Sequence, residues 1–152
     1  MITISREHLK SDEIFRLIQS LDSSFANKLQ ESVDLNKYSK KLATYATFEI
    51  ARINDDIHGI IAFYINKENK EIYIPYVCVN TFKRHLGIAK SLLESICEYA
   101  QLEKMSIALE VRKTNINAIK LYNTFGFQIE KENEVKYYMK KNYEHKKYNI
   151  KN

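Results

Sequence analysis

Residue types that could bind a phosphate group stand between a strand pattern and a helix pattern in the middle of the chain. Arg84 carries a permanent positive charge, and Gly87 lies where the strand segment becomes helix. A glycine allows a tight backbone curl here and leaves no Cβ to obstruct a ligand. The first amide groups of a helix have no partners within it, and the helix dipole favours anions beside them. An ordinary strand–turn–helix corner is the simpler interpretation, but the segment also predicts an anion site.

A second segment, residues 115–127, predicts a short amphipathic helix that ends at a glycine. Ala118, Tyr122 and Phe125 recur at helical spacing, and Gly126 follows them as a helix stop. Considered alone, this segment indicates a packed surface helix and no particular chemistry.

The two segments together resemble the signature motifs of the GNAT superfamily of N-acyltransferases. The acyl-CoA loop of that family is written Arg/Gln-x-x-Gly-x-Gly/Ala, and this pattern is found here at residues 84–89. The family pattern Asn-x-x-Ala-x-x-x-Tyr-x-x-x-Gly-Phe is found at residues 115–127, in the expected order and at the expected separation. The resemblance covers about residues 46–139, whereas the first 45 residues match only in general arrangement.

The resemblance implies acetyl-CoA as co-substrate and assigns roles to the residues that match the motifs. In the family the loop amides hold the pyrophosphate of coenzyme A, and a splayed strand matching residues 77–79 pairs with the pantetheine arm. The backbone amide of Cys78 or Val79 would polarise the thioester carbonyl, and Tyr122 would be the general acid and the catalytic residue. The implied cofactor-binding residues are Val77, Cys78, Val79, Arg84, His85, Leu86, Gly87, Ile88, Ala89, Lys90, Asn115, Ala118 and Tyr122.

The general base is not identified by the motifs. Many family members carry a glutamate on the strand before the loop, and Pro75 occupies that position here. A water chain held by backbone carbonyls could replace it, and a partly neutral substrate amine would need no base. The side chains that remain open for this role are Tyr73, Glu110, Glu49 and His58.

The acceptor amine is also left open. A small molecule such as an amino sugar, an amino acid or an antibiotic is our first expectation, and a protein N-terminus or lysine is the second. Phe25, Tyr38 and Tyr45 could line its site, although tyrosines in a chain with eleven of them are common packing residues. A non-catalytic acyl-CoA-binding module is the alternative, because the usual glutamate is missing.

The elements that hold these motifs follow from the period of the apolar residues. The order β-α-α-β-β-β-α-β-α-β-β predicts an α/β (α+β) fold with helices on both faces of a mixed, mostly antiparallel sheet of six or seven strands. The resemblance adds a splay of this sheet at the acyl-CoA cleft. The strand patterns cover residues 2–5, 47–53, 57–65, 71–79, 105–111, 127–130 and 135–140, and the helix patterns cover residues 11–21, 36–44, 88–100 and 115–125.

Three details of the pattern carry their own expectations. Ser11 can cap the first helix. Gly59 inside a strand predicts a bulge or a close contact, and Pro75, which cannot donate a hydrogen bond, predicts a bulge or local splaying. Residues 25–35 have no clean period and predict a loop or short helical turns.

The length of 152 residues and the composition predict one acetyltransferase-like domain, residues 1–140, followed by a basic, mobile tail, residues 141–152. The formal net charge is +5, but residues 140–152 hold five lysines and one glutamate, so the charge is concentrated in the tail and nucleic acid is not an expected partner.

We expect no membrane span, no signal peptide and hence a cytoplasmic protein. Cys78 and Cys97 predict buried free thiols and no metal, and a homodimer is the oligomeric state that the family suggests.

Overall fold

The computed structural model describes residues 1–21, 34–80 and 87–145. Within these residues the chain forms seven strands and four helices in the predicted order, and the mixed α/β architecture is confirmed. The elements are β1 (Ile2–Glu7), α1 (Ser11–Leu21), α2 (Leu35–Tyr45), β2 (Thr47–Ile53), β3 (Asp56–Asn66), β4 (Glu71–Val79), α3 (Ile88–Leu102), β5 (Ser106–Arg112), α4 (Ile116–Thr124), β6 (Gln128–Glu132) and β7 (Lys136–Lys141).

The seven strands form one sheet in the order β1-β2-β3-β4-β5-β7-β6. Neighbouring strands are antiparallel throughout, apart from β4 and β5, which are parallel. A parallel pair needs a crossover connection, and α3 is that connection here. The sheet is therefore mixed and mostly antiparallel, as predicted.

Each face of the sheet is covered by its own pair of helices. We call these the α1–α2 face, whose core includes Ile18, Leu42 and Phe48, and the α3–α4 face, whose core includes Leu92 and Phe127. All five side chains have exposures of 5% or less. Burial of one such side chain contributes roughly 1.5–3 kcal/mol, which explains why the amphipathic pattern predicted these helices well.

A β-bulge on β3 lies beside the start of α3. Ala51 of β2 pairs with Gly59, and Arg52 pairs with Ile57, so His58 is the extra residue. A Cβ on Gly59 would lie 2.8 Å from Cγ2 of Ile88, so α3 approaches the strand at this point. The sequence offered a bulge or a close contact for Gly59, and both are found within two residues.

A second bulge lies at Pro75 on β4. Ala62 of β3 pairs with Tyr76, but Tyr64 pairs with Tyr73, so two residues of β4 stand opposite one residue of β3. The extra residue reverses the alternation of side chains: Ile72 and Ile74 belong to the α3–α4 core, whereas Tyr76 and Cys78 belong to the α1–α2 core. The interruption predicted at Pro75 is confirmed.

Some local predictions are wrong by a residue or in burial. The helix α1 begins at Ser11 itself, and the side chain of Glu13 accepts from the backbone amide of Lys10, so Ser11 is not the cap. Asp34 caps α2 through hydrogen bonds from Asn36 and Lys37. Cys78 is buried, but Cys97 is only partly buried, and both are free thiols. Of the predicted irregular segment 25–35, residues 25–33 lie outside the described residues, whereas Leu35 is already the first residue of α2. The part of the basic tail from residue 146 also lies outside the described residues.

Candidate active site

The strands β4 and β5 separate in the middle of the sheet and leave a wedge-shaped opening. Their parallel pairing runs from Glu71 opposite Ser106 to Ile74 opposite Leu109, where it stops. Beyond this pair, residues 76–79 of β4 stay paired with β3. Polar backbone atoms on the other side of the strand therefore face the opening and can bind an extended ligand.

Residues 77–79, the strand residues predicted to bind the cofactor, direct their side chains to both faces of the sheet. Val77 and Val79 are half-buried and pack against the α3–α4 core, whereas Cys78 points to the α1–α2 face and is 5% exposed. The thiol of Cys78 is thus on the far side of the strand from α3. A role of residues 77–79 in ligand binding would depend on their backbone atoms.

The helix α3 is preceded by Gly87, which has the left-handed backbone angles φ 73° and ψ 24°. This glycine is the N-cap, makes no side-chain capping bond, and is followed by no acidic residue in the first turn. Among the described residues, a Cβ built on Gly87 would meet nothing within 4 Å, so they leave the space beside the helix N-terminus open. The unpaired amides and the helix dipole make this a position suited to an anion.

The structure describes residues 88–90 of the predicted acyl-CoA loop but not residues 84–86. Ile88 is fully buried in the α3–α4 core, Ala89 is half-buried, and Lys90 is exposed at the helix start. The side chain of Ile88 is therefore used for packing, and its amide is what remains for a ligand. Arg84, His85 and Leu86 lie outside the described residues.

The second motif forms α4, one residue shorter than predicted at each end. Asn115 is its N-cap, and Oδ1 of Asn115 accepts from the backbone amide of Ala118 at 3.3 Å. Tyr122 is 8% exposed, and its ring centroid lies 5.7 Å from that of Phe127. Burial raises the pKa of Tyr122 to about 12, so the phenol keeps its proton at neutral pH.

Glu49 and Glu110, two of the open candidates for the base, have opposite environments. Glu49 is fully buried, accepts from Nε of Arg6 at 2.5 Å, and also accepts from the hydroxyl group of Ser95. The guanidinium group of Arg6 in turn stacks 4.2 Å from the centroid of the Tyr99 ring. Glu49 thus joins β1, β2 and α3 and is closed to a substrate amine.

Glu110 is exposed and is the first residue of β5 beyond the end of the β4–β5 pairing. Its Oε1 accepts from the hydroxyl group of Tyr73 at 3.3 Å, and its Oε2 lies 4.0 Å from Nζ of Lys136. Burial, together with the nearby Glu110 carboxylate, raises the pKa of Tyr73 to about 12. The carboxylate is therefore accessible at the mouth of the opening.

His58, the remaining candidate, stands on the β3 bulge next to the end of β4. Its backbone carbonyl accepts from the amide of Asn80 at 2.7 Å. Its Nδ1 is buried and has no hydrogen-bond partner among the described residues. This places the imidazole near the α3 end of the site, but no contact connects it to Glu110 or Tyr122 there.

A group of tyrosines that the sequence did not bring together lies beside Glu110. The rings of Tyr64 and Tyr73 are stacked 6.5 Å apart, and the hydroxyl group of Tyr38 lies 3.5 Å from the carbonyl oxygen of Pro75. Burial raises the pKa of Tyr38 above its usual range. Of the other two residues expected near the acceptor, Tyr45 is 68% exposed and Phe25 lies outside the described residues.

Two features are absent from the described residues. Within residues 1–21, 34–80 and 87–145, no group of three His, Cys, Asp or Glu side chains is placed to hold a metal ion. In the same ranges, no helix has the length and apolar character needed to cross a membrane.

Comparison with known proteins agrees with this geometry. The model of the acetyltransferase (GNAT) family matches residues 13–127, which is most of the chain. A segment of 96 residues is 31% identical to the N-acetylaspartate synthetase of Xenopus tropicalis. That match covers 62% of this chain but only 35% of the Xenopus protein.

Solved acetyltransferases share the fold at low sequence identity. The PaiA N-acetyltransferase of Thermoplasma acidophilum, crystallised in complex with coenzyme A, superposes with a TM-score of 0.74 at 16% identity over 93% of this chain and 99% of that one. The ribosomal-protein-S18-alanine N-acetyltransferase of Escherichia coli gives a TM-score of 0.74 at 16% identity over 99% of both chains. At these identities the superpositions establish the fold alone.

Proposed function

We propose that this chain, which belongs to the acetyltransferase (GNAT) family, transfers the acetyl group of acetyl-CoA to a primary amine of a small molecule. One observation carries the proposal: the pairing of β4 with β5 ends at Ile74, and the next described helix follows its N-cap Gly87 with no side-chain capping bond and no acidic residue in its first turn. The same stretch of backbone thus offers an open strand edge and, at its end, an anion site.

The donor fits this path in two parts. The pyrophosphate would bind the amides of residues 87–90, with Arg84 adding a positive charge, because the open space beside Gly87 admits it. The pantetheine arm would lie along residues 77–79 as an added strand. Asn115 and Ala118, at the start of α4, would border the same arm.

The reaction needs a hydrogen bond to the carbonyl oxygen and a proton for the departing sulfur. Acetyl-CoA supplies the acetyl group as a thioester. The backbone amide of Val79 would stabilise the negative charge that develops on the carbonyl oxygen as the new C–N bond forms, because the next amide, that of Asn80, points to β3 and neighbouring amides of a strand point to opposite sides. Tyr122 would donate its proton to the sulfur as the C–S bond breaks, and its raised pKa keeps that proton available.

The proton that the amine loses would pass to Glu110. Tyr122 belongs to the core of the α3–α4 face, whereas Glu110 and its partner Tyr73 alternate with residues of that core and so lie on the opposite face. A thioester held in the opening would therefore have a proton donor on one side and a proton acceptor on the other. Glu49 cannot serve, since it is fully buried and bonded to Arg6 and Ser95.

Two measurements test the proposal. Acetyl-CoA at 100 times its dissociation constant should stabilise the folded protein by about 2.7 kcal/mol. A panel of small amines and short peptides, incubated with acetyl-CoA, should yield an acetylated amine by mass spectrometry together with free thiol. Stabilisation without any acetylated product would instead indicate a non-catalytic acyl-CoA-binding module. No stabilisation by any acyl-CoA would overturn the proposal.

A further inference from the structure

We propose that the acceptor amine carries an anionic group, a carboxylate or a phosphate, and that Lys131 binds this group in a recess formed by β5, β6 and β7. This inference rests on the proposed function, in which Glu110 accepts the proton of the amine; Glu110 also lines the recess. It narrows the acceptor from small amines in general to acidic ones, such as free amino acids.

The recess is a cavity of about 320 Å³ next to the mouth of the β4–β5 opening. Its six lining residues are Glu110, Lys131, Glu132, Asn133, Lys136 and Tyr138. None of the recess residues was singled out from the sequence except Glu110. The recess therefore joins the carboxylate that could accept the amine proton to a group of basic side chains.

Glu110, Tyr138 and Lys131 form one row across three strands. Glu110 of β5 pairs directly with Tyr138 of β7, and Tyr138 pairs directly with Lys131 of β6. Directly paired residues of antiparallel strands present their side chains on the same face of the sheet. A small molecule that lies over the Tyr138 ring would thus contact Glu110 at one end and Lys131 at the other.

The charges of the recess leave one lysine uncompensated. Glu132 is paired with Lys113, with 2.6 Å between Oε1 and Nζ, and Glu110 is paired with Lys136 at 4.0 Å. Lys131 has its Nζ 4.8 Å from the centroid of the Tyr138 ring and makes no ion pair in the described part of the chain. A ligand with both charges would therefore place its amine at the carboxylate and its anion at Lys131.

The loose pair between Glu110 and Lys136 is compatible with such a ligand. Both side chains are 44% exposed, and ion pairs between exposed groups contribute little to stability. Binding of the substrate amine at Glu110 would release Lys136 at little cost. The released ammonium group can then approach the same anion as Lys131.

A competition assay tests the inference without knowledge of the natural acceptor. An equimolar mixture of L-amino acids and their α-amides is incubated with acetyl-CoA, and the acetylated products are counted by mass spectrometry. A second mixture contains phosphoethanolamine and ethanolamine. The measured quantity is the ratio of anionic to neutral product, compared between the wild-type protein, Lys131→Gln and the exposed turn variant Lys67→Gln.

We expect Lys131→Gln to lower this ratio about tenfold in one of the two mixtures, which would also tell carboxylate from phosphate. Lys67→Gln, which removes the same charge outside the recess, should keep the wild-type ratio. An unchanged ratio with Lys131→Gln in both mixtures would overturn the inference, and the proposed function would stand as long as either mixture is acetylated. Failure of every amine to be acetylated would count against the proposed function itself.

Discussion

The hydroxyl group of Tyr73 donates a hydrogen bond of 3.3 Å to Oε1 of Glu110 across β4 and β5. This contact lies at the end of the parallel ladder, because the last pair of that ladder is Ile74 opposite Leu109. It holds a carboxylate at the mouth of the opening, on the face of the sheet opposite Tyr122. The candidate acid and the candidate base would thus face the opening from opposite sides, Tyr122 towards the departing sulfur and Glu110 towards the attacking amine.

The first prediction concerns Glu110 as the proton acceptor. Glu110→Gln keeps the size of the side chain and removes its basicity, so kcat should fall by about 10²- to 10⁴-fold while the dissociation constant of acetyl-CoA stays unchanged. Tyr73→Phe removes only the hydrogen bond that orients the carboxylate and should have a much smaller effect. Steady-state kinetics and calorimetry measure the two quantities. A Glu110→Gln enzyme with wild-type kcat would leave direct attack by a neutral amine as the mechanism.

The second prediction concerns the protonation of Tyr122. The pKa of Tyr122 is raised to about 12 in the folded protein, above the value near 10 of an exposed phenol. Tyr122→Phe removes the proposed proton donor, so it should lower kcat by about 10²-fold or more and weaken acetyl-CoA binding far less. Because Tyr122 stays protonated in this range, its ionisation should cause no fall in the wild-type rate between pH 7 and pH 10. The pH profiles of the wild type and Tyr122→Phe should therefore have the same shape there. A wild-type kcat in Tyr122→Phe would remove this residue from the mechanism.

The third prediction follows from the same shift and concerns stability. A phenol with a raised pKa in the folded state contributes stability that is present below pH 10 and is lost as the pH rises towards 12, because the unfolded chain ionises first. Urea unfolding at pH 8 and at pH 11 should show a decrease that is smaller in Tyr122→Phe than in the wild type. Equal decreases in both proteins would show that Tyr122 ionises as easily in the folded chain as in the unfolded one.

The fourth prediction separates ligand binding from backbone strain at Gly87. Gly87→Ala should destabilise the free protein by about 1 kcal/mol, because φ is +73° and a Cβ would clash with none of the described residues. It should in addition weaken acetyl-CoA binding at least tenfold, since the methyl group would occupy the space proposed for the pyrophosphate. Urea unfolding and calorimetry measure the two effects.

Gly126→Ala is the matched control for this test. Gly126 also has a positive φ, +92°, but it lies at the end of α4, where a Cβ would approach Nζ of Lys141 and no other atom of the described residues. The Gly126→Ala variant should lose about as much stability as Gly87→Ala and keep the wild-type affinity for acetyl-CoA. Similar losses of affinity in both variants would show that the effect is global and not due to the space beside Gly87.

The fold was largely predictable from the sequence, because it depends on local patterns. The apolar period of α3, the glycine at its start and the interruption at Pro75 are all visible in a short window, and each was found as expected. The roles of the carboxylates were not predictable in the same way. Glu49 is buried because Arg6 and Ser95, each more than 40 residues away, bond to it.

The grouping of tyrosines beside Glu110 could not be predicted from the sequence for a related reason. The extra residue at Pro75 reverses the side-chain alternation of β4, so Tyr73 and Tyr76 are both on the α1–α2 side although they are three residues apart. The position of Glu110 at the opening depends on the register of β5 against β4. The register of two strands is set by pairing between segments that are far apart in the chain, and the pattern of residues along one sequence does not reveal that pairing.

The fifth prediction tests the structural role assigned to Glu49. Arg6→Met leaves the fully buried carboxylate without its cationic partner and should destabilise the protein by about 2–4 kcal/mol, somewhat less than a completely buried pair because the Arg6 side chain is 36% exposed. Adding Glu49→Gln to Arg6→Met removes the uncompensated charge and should recover part of the loss, by about 1–2 kcal/mol. Urea unfolding of the two single variants and the double variant measures this coupling. The folded fraction of Glu49→Gln should retain the kcat of the wild type, since Glu49 contacts β1 and α3 and not the substrate. A double variant less stable than Arg6→Met alone would show that the unpaired Glu49 carboxylate is not the cause of the loss, and a Glu49→Gln enzyme that is folded but inactive would show that Glu49 acts in the reaction.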